Sequence, residues 1–324
     1  MDALDRIVPP VRVDDRLVVR YRMADDSATD VIGWLQAVDS YRLSICDHAG
    51  RTVVVDRRRL VAARRAPAAR GGPGPTRTSP EELERLALPG WLADHEPLGE
   101  WTLRAADGFT GRGNSCLAVG DPGLPVAEAA ARIVTFAAWH RLEPRAQVIA
   151  GSRPDRDLRV LGWTPTYATV DVLAVRLNDL LGETPRSPLT QTGEVLTPDW
   201  EHAYHRSRPN TADPAVVHAL LDGGRPRAFA ALTTDSEIAA IGRGHVSSEW
   251  LGLTSVWTAP DHRGQGYTGQ IVRALGHWAA RLNARYVYLQ VDQSNTAAQL
   301  AYRRLGFSLH HSYLYLTPAS AAST

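Results

Sequence analysis

The chain has no lysine: all 36 of its basic residues are arginine. A Walker-type phosphate loop needs its lysine, and so does a pyridoxal Schiff base, so both chemistries are excluded on this chain. Cysteine is nearly absent too. Cys46 and Cys116 are the only two. They fit no metal-ligand spacing and no disulfide framework, which points to a reducing cytoplasm and to no metal site. Charge of one sign is lacking, since 36 basic residues stand against 35 acidic ones. Bulk attraction to nucleic acid or to a membrane surface is therefore not expected. No apolar run approaches the roughly 20 residues of a membrane span. The opening stretch "MDALDRIVPP" has no apolar signal region.

What is present divides the chain. Residues 14–63 hold five short β-rich runs, among them "RLVVRYR" and "RTVVVD", and predict a small barrel. Residues 66–80, "APAARGGPGPTRTSP", lack periodicity and predict a flexible linker. Eight arginines lie between 51 and 77. No aromatic stacking partners are interleaved with them, so they predict a solvated face rather than a nucleic-acid arm. From 81 onward strands and helices alternate, and a break near 178–198 predicts two lobes, over 81–180 and 181–324. "GFTGRGNS", 108–115, predicts a turn with structural glycines.

The richest stretch is "APDHRGQGYTGQIV", 259–272. Gly264-Gln-Gly266-Tyr-Thr-Gly269 matches the dinucleotide fingerprint G-x-G-x-x-G letter for letter, and Asp292 ends the next strand where a ribose could meet it. Five residues, however, separate the preceding strand from the first glycine. Only 32 residues follow Asp292 (324 − 292), too few to finish a doubly wound sheet. The strands upstream, "PRAFAALTT", "EIAAIGRGHV" and "LGLTSVWT", predict an antiparallel meander. Downstream, Ile271, Val272, Leu275, Trp278, Ala279 and Leu282 form one apolar helical stripe. "RYVYLQV" follows as a buried strand, then a helix capped at Ser294 or Asn295, then a last strand over 308–316.

This arrangement resembles the GNAT family of acetyl-CoA-dependent N-acetyltransferases, closely over 200–316. Arg263, Gly264, Gln265, Gly266, Tyr267 and Thr268 stand on the family's phosphate motif [Q/R]-x-x-G-x-[G/A], with Thr268 where Gly or Ala is usual and Gly269 directly after. Asn295, Tyr302 and Leu305-Gly306-Phe307 stand on its second motif. The resemblance implies that acetyl-CoA is the cosubstrate. Backbone amides of 263–269 would hold its pyrophosphate, and Val256, Trp257 and Thr258 would pair with its pantetheine arm from a strand splayed by a bulge. Asn295 belongs to the same set, and Tyr302 would be the general acid for the leaving thiolate. For the base, the family uses a Glu before or after the loop. The second position is Gln290 here; Glu249 is the carboxylate of the first strand, with His245, Asp292 or a water chain as further bases. The acceptor implied is a primary amine of a small molecule or of a protein (a lysine or N-terminus).

The first lobe repeats the pattern. Aligning Pro122 with Pro260 sets Ile133-Val134 on Ile271-Val272, and "VLGW", 160–163, mirrors "RLGF", 304–307. Pro125 and Glu128 then replace Arg263 and Gly266, and Leu158 replaces Tyr302, so this copy is expected to be inert. The whole chain resembles tandem-GNAT enzymes with an N-terminal SH3-like module. The implied fold is α/β (α+β): two lobes of mixed, mostly antiparallel sheet with flanking helices after a small barrel over 1–65, through which a protein partner could bind. A non-catalytic acyl-CoA-binding or adaptor protein is the alternative, kept open by Gln290.

Overall fold

Five strands come first: β1 (Arg16–Arg22), β2 (Ala28–Val38), β3 (Arg42–Asp47), β4 (Thr52–Asp56) and β5 (Leu60–Arg65). The alternation in β1 buries Leu17 and Val19 and leaves their neighbours outward. The strands form an antiparallel sheet in the order β4-β3-β2-β1-β5 around Leu17, Val19, Leu35, Leu43 and Ile45. β4 and β5 do not pair, so the barrel expected over 1–65 is an open five-stranded sheet among the described residues. The structure is a computed structural model and describes residues 3–319 apart from 8–9, 12, 14, 48–50, 67–73, 183–187, 209–211 and 235–236.

Part of the expected linker, 67–73, lies outside the described residues. Pro75–Arg77 form a 3-10 turn, and Ser79 accepts from the Glu82 amide to cap helix α1 (Pro80–Ala87). His310 Nε2 lies 3.2 and 3.1 Å from the carbonyl oxygens of Pro75 and Thr78, tying this segment to the last strand.

The remaining elements are β6 (Asp94–Leu98), β7 (Trp101–Ala105), β8 (Cys116–Leu117), α2 (Val126–Trp139), β9 (Ala146–Ile149), α3 (Arg153–Val160), β10 (Trp163–Pro165), β11 (Val170–Arg176), α4 (Leu177–Leu181) and β12 (Thr190–Gly193). There follow α5 (Pro198–Ser207), α6 (Pro214–Asp222), β13 (Arg227–Thr234), β14 (Glu237–Ser247), β15 (Trp250–Thr258), α7 (Tyr267–Arg281), β16 (Tyr286–Asp292), α8 (Thr296–Arg304) and β17 (Ser308–Pro318). One sheet runs through all of them in the order β12-β13-β14-β15-β16-β11-β17-β9-β8-β7-β6, with β10 on β17. Among the described residues the only parallel pairs are β15 with β16 and β8 with β9, at corresponding places of the two repeats. The last strand does not return to β16. β11 from the first repeat inserts between them, and β17 pairs with β11, β9 and β10. A boundary near 180 thus crosses a continuous sheet.

The sheet's two faces are packed differently. On one, the stripe Ile271, Val272, Leu275, Trp278 and Ala279 of α7 is buried against Leu251, Leu253, Val287 and Leu289. Each such side chain contributes about 1.5–3 kcal/mol on burial. On the other lie α1, the 106–115 loop, α5 and α6. There Glu84 of α1 is 3% exposed. It meets His311 Nε2 at 3.0 Å and accepts from Gln147 Nε2 at 2.8 Å. Glu84→Ala would leave both partners buried and unmatched. It is expected to cost about 3–5 kcal/mol, read as a lower urea midpoint at constant slope. A loss below about 1 kcal/mol would show that this contact does not hold α1 on the sheet.

Candidate active site

The glycine loop sits between β15 and α7. Pro260–His262 make one 3-10 turn, then Gly264 and Gly266 take φ of 80° and 77°. These left-handed values favour glycine, and they turn successive amides the same way. The N–H groups of Gly264, Gln265, Gly266, Tyr267 and Thr268 find no backbone partner, and α7 has no side-chain cap. Five free donors at the start of a 15-residue helix make an anion cradle. A Cβ built on Gly264 or Gly266 meets nothing within 4 Å, so the space over the loop is open. Thr268, the departure from the family pattern, has a local role: its Oγ1 lies 3.2 Å from Thr258 Oγ1, pinning the helix start to the end of β15. Gly269 is buried, with Leu305 Cδ2 3.4 Å from its built Cβ, and seats α7 on α8. Arg263 and Gln265 are exposed beside the cradle.

Next to the loop the sheet opens. β15 and β16 pair only over Trp250–Leu253 and Tyr286–Leu289. Ser255 then takes φ 54°, and β15 carries one extra residue against β14, which is a bulge. Beyond it Trp257 and Thr258 stay paired to β14, while β16 stays paired to β11 as far as Asp292. A wedge results, with unpaired strand edge along 254–258.

Tyr302 of α8 is 8% exposed and packs edge-on against Phe307, ring centroids 5.8 Å apart. Burial pushes its phenol up to about 12, and the Arg208 guanidinium pulls the other way. It is a held proton donor. Asn295 Oδ1 is committed to the N-cap of α8, accepting from Ala298 N at 3.1 Å.

The structure does not bring Glu249 to this place. It occupies the turn at the opposite end of β15 and pairs with Arg285 at 3.1 Å, both half exposed. Five residues, about 16 Å of strand, separate it from Thr254 where the wedge opens. His245 is buried, and burial followed by the Arg243 charge pushes it down to about 4, so it is neutral and a weak base near neutrality. Asp292 Oδ1 accepts from Ser294 N and Oγ at 2.7 and 2.6 Å. Gln290, by contrast, lies at the wedge. Its Oε1 accepts from Arg112 and its Nε2 donates to Glu84 Oε1 at 3.4 Å.

Arg112, Arg208, Tyr204 and Glu84 escape the sequence reading. Arg112 belongs to "GFTGRGNS", the expected turn, which Asn114 closes by accepting from the Ala106 and Gly108 amides. Nothing in the sequence signals the other three.

In the first repeat, β8, β9, α2 and α3 frame the corresponding cleft, a cavity of about 330 Å³ walled by Trp101, Val119, Leu124 and Ile149. Pro125 caps α2 without an N–H of its own, and Glu128 stands in the first turn. Glu81, Asp121 and Asp157 add carboxylates to the lining.

Residues 80–316 match the family model described as probable histone acetyltransferase Rv0428c C-terminal. Along nearly its whole length the chain is similar to the probable histone acetyltransferase Rv0428c of Mycobacterium tuberculosis, 28% identical over 327 residues, covering 94% of this chain and 95% of that protein. The streptothricin acetyltransferase of Streptomyces lavendulae is 29% identical over 112 residues, covering 30% of this chain and 59% of that one. Among solved structures, a GCN5-related N-acetyltransferase from Kribbella flavida superposes with a TM-score of 0.53 at 17% identity, over 76% of this chain and 96% of that one, a likeness of fold.

Proposed function

The chain belongs to the family of the Rv0428c C-terminal region and is an N-acetyltransferase of the GNAT class; from that premise we propose that it moves an acetyl group from acetyl-CoA to a primary amine by direct attack in a ternary complex, at one site per chain, in the C-terminal lobe. The observation that carries this is the five unpartnered amides of 264–268 beside the wedge of β15 and β16. They suit a pyrophosphate, and the unpaired edge at 256–258 suits a chain of amides running into the wedge. Acetyl-CoA supplies an activated acyl thioester. The residues of this chain do the rest. The loop with Gly264 and Gly266 holds the phosphates, and β15 aligns the arm. Tyr302 Oη gives a proton to the sulfur as the C–S bond breaks and the C–N bond forms. The amine loses its own proton to solvent, which restores Tyr302 through water. The division into 81–180 and 181–324 is kept as a functional one. The strand order of 1–65, with a 3-10 turn before β5, supports an SH3-like module. Among the described residues no helix is long and apolar enough to cross a membrane.

Thiol release from acetyl-CoA with a panel of amines tests the activity; no release with any amine, from a protein that binds acetyl-CoA, would favour a binding module instead. Calorimetry tests the site count. One acetyl-CoA per chain is expected, because the cleft of the first repeat has gained Glu128 in the first turn of α2 and is lined by Glu81, Asp121 and Asp157. Glu128→Gly is expected to leave both stoichiometry and affinity unchanged. A stoichiometry near two would end the reading of the first repeat as inert.

A further inference from the structure

Trp257 of β15 and Gln290 of β16 mark the wedge, and Tyr302 of α8 lies in the core cluster on which Val256 packs. Each has an arginine beside it. The Arg206 guanidinium lies 5.7 Å over the Trp257 ring. Arg112, half-buried, donates to Gln290 Oε1 and lays its guanidinium 4.1 Å over the Trp91 ring. The Arg208 charge opposes the upward push of burial on the Tyr204 and Tyr302 phenols. Among the described residues no carboxylate is ion-paired with Arg112 or Arg206. The carboxylate nearest Gln290, Glu84, sits behind it, 3% exposed and occupied by His311 and Gln147. Burial raises the Tyr204 phenol, and the charges that oppose this are Arg208, Arg112 and Arg243, all cations.

We infer that the acceptor amine carries an anionic oxygen group, a carboxylate or a phosphate, which Arg112 holds beside the wedge. This rests on the wedge being the site of acetyl transfer. A half-buried guanidinium with only neutral partners has lost hydration without gaining an ion pair. An incoming carboxylate or phosphate supplies one, in the bidentate form that guanidinium favours. A lysine-rich peptide would instead bring cations against cations, at about 1–4 kcal/mol for each close pair in a solvated groove. The same arginines also disfavour the protonated form of an amine held among them. That helps present a neutral nucleophile at a site where Gln290 stands in place of a carboxylate base, and it gives the departure at 290 a physical sense.

The test uses the full chain at saturating acetyl-CoA with acceptors matched in length: β-alanine, phosphoethanolamine, propylamine, 1,3-diaminopropane and a lysine-rich peptide. At least one anionic acceptor is expected to exceed the diamine and the peptide in kcat/KM by about a hundredfold, and whichever of β-alanine and phosphoethanolamine leads identifies the anion. Arg112→Gln is expected to cut the ratio of anionic to neutral acceptor by roughly tenfold to a hundredfold, mostly in acceptor KM, with acetyl-CoA KM unmoved. Arg206→Gln, on the surface, gives a second reading should Arg112→Gln fold poorly, with a smaller shift in the same direction. Diamine or peptide matching the better anion, or a ratio that neither variant moves, overturns the inference. If no amine releases thiol, phosphate titrated onto the coenzyme A complex still decides. A rise in Tm in the wild type that Arg112→Gln loses supports the inference, and equal rises overturn it. Failure of acetyl-CoA itself to raise Tm would strike the site and not its selectivity.

Discussion

Gly266→Glu is expected to abolish acetyl-CoA binding while leaving the fold intact. The position has φ 77° and opens onto free space, with nothing within 4 Å of a built Cβ. A side chain there costs backbone strain, on the order of 1–3 kcal/mol, but causes no clash. Its carboxylate would occupy the positive end of α7 that otherwise faces an anion. Against a phosphate about 4 Å away, at the effective dielectric of a protein surface, the repulsion is about 4 kcal/mol. Lost access to the amides of 266–268 adds to it. Together these predict affinity lowered by about a thousandfold or more. Gly266→Ala carries the strain without the charge and is expected to weaken binding by only about tenfold. The pair is read by calorimetry, with circular dichroism to confirm that both variants fold. Binding of acetyl-CoA to Gly266→Glu within tenfold of wild type would remove this loop from the cosubstrate site.

The loop, α7, β16 and α8 were legible because their signals are local. Glycines at fixed offsets, a 3.6-residue apolar stripe and Asn295 as a cap all act within a few residues of themselves. The wedge was legible only through the resemblance. The left-handed Ser255 that opens it is an ordinary serine in "LGLTSVWT", and its conformation comes from the mismatch between β14 and β15. Glu249 shows a different limit. The sequence assigned it to the strand before the loop, and strand membership says nothing about which end faces the chemistry. The acceptor side was invisible for a third reason. Arg112 and Glu84 meet Gln290 across 178 and 206 residues of chain. Such contacts depend on β11 inserting between β16 and β17 and on α1 crossing that face, and neither pairing leaves a periodicity to read.

Tyr302→Phe is expected to lower kcat by roughly a hundredfold to ten-thousandfold with acetyl-CoA affinity little changed. The substitution keeps the edge-on contact with Phe307 and the buried ring, and removes only the hydroxyl. A phenol pushed up to about 12 looks too weak an acid for a thiolate whose conjugate acid ordinarily lies near ~8.5. The leaving sulfur, however, enters the same kind of surroundings. Cys116 gives a measure within this chain, a thiol that burial pushes up to about 12. A thiolate shielded from water beside Tyr302 gains basicity by the same desolvation, which narrows its gap to the phenolate. The high value also fixes the pH dependence. Tyr302 keeps its proton throughout the ordinary range, so no alkaline limb near pH 10 should appear in the wild-type kcat profile, and the rate should rise with pH only as the acceptor amine becomes neutral. An alkaline limb near 10 that Tyr302→Phe abolishes would show a solvated phenol, contrary to its 8% exposure. If Tyr302→Phe instead turns over like wild type, solvent viscosity decides between two causes. A rate that falls as viscosity rises means product release hides the chemical step, and a flat response takes Tyr302 out of the mechanism.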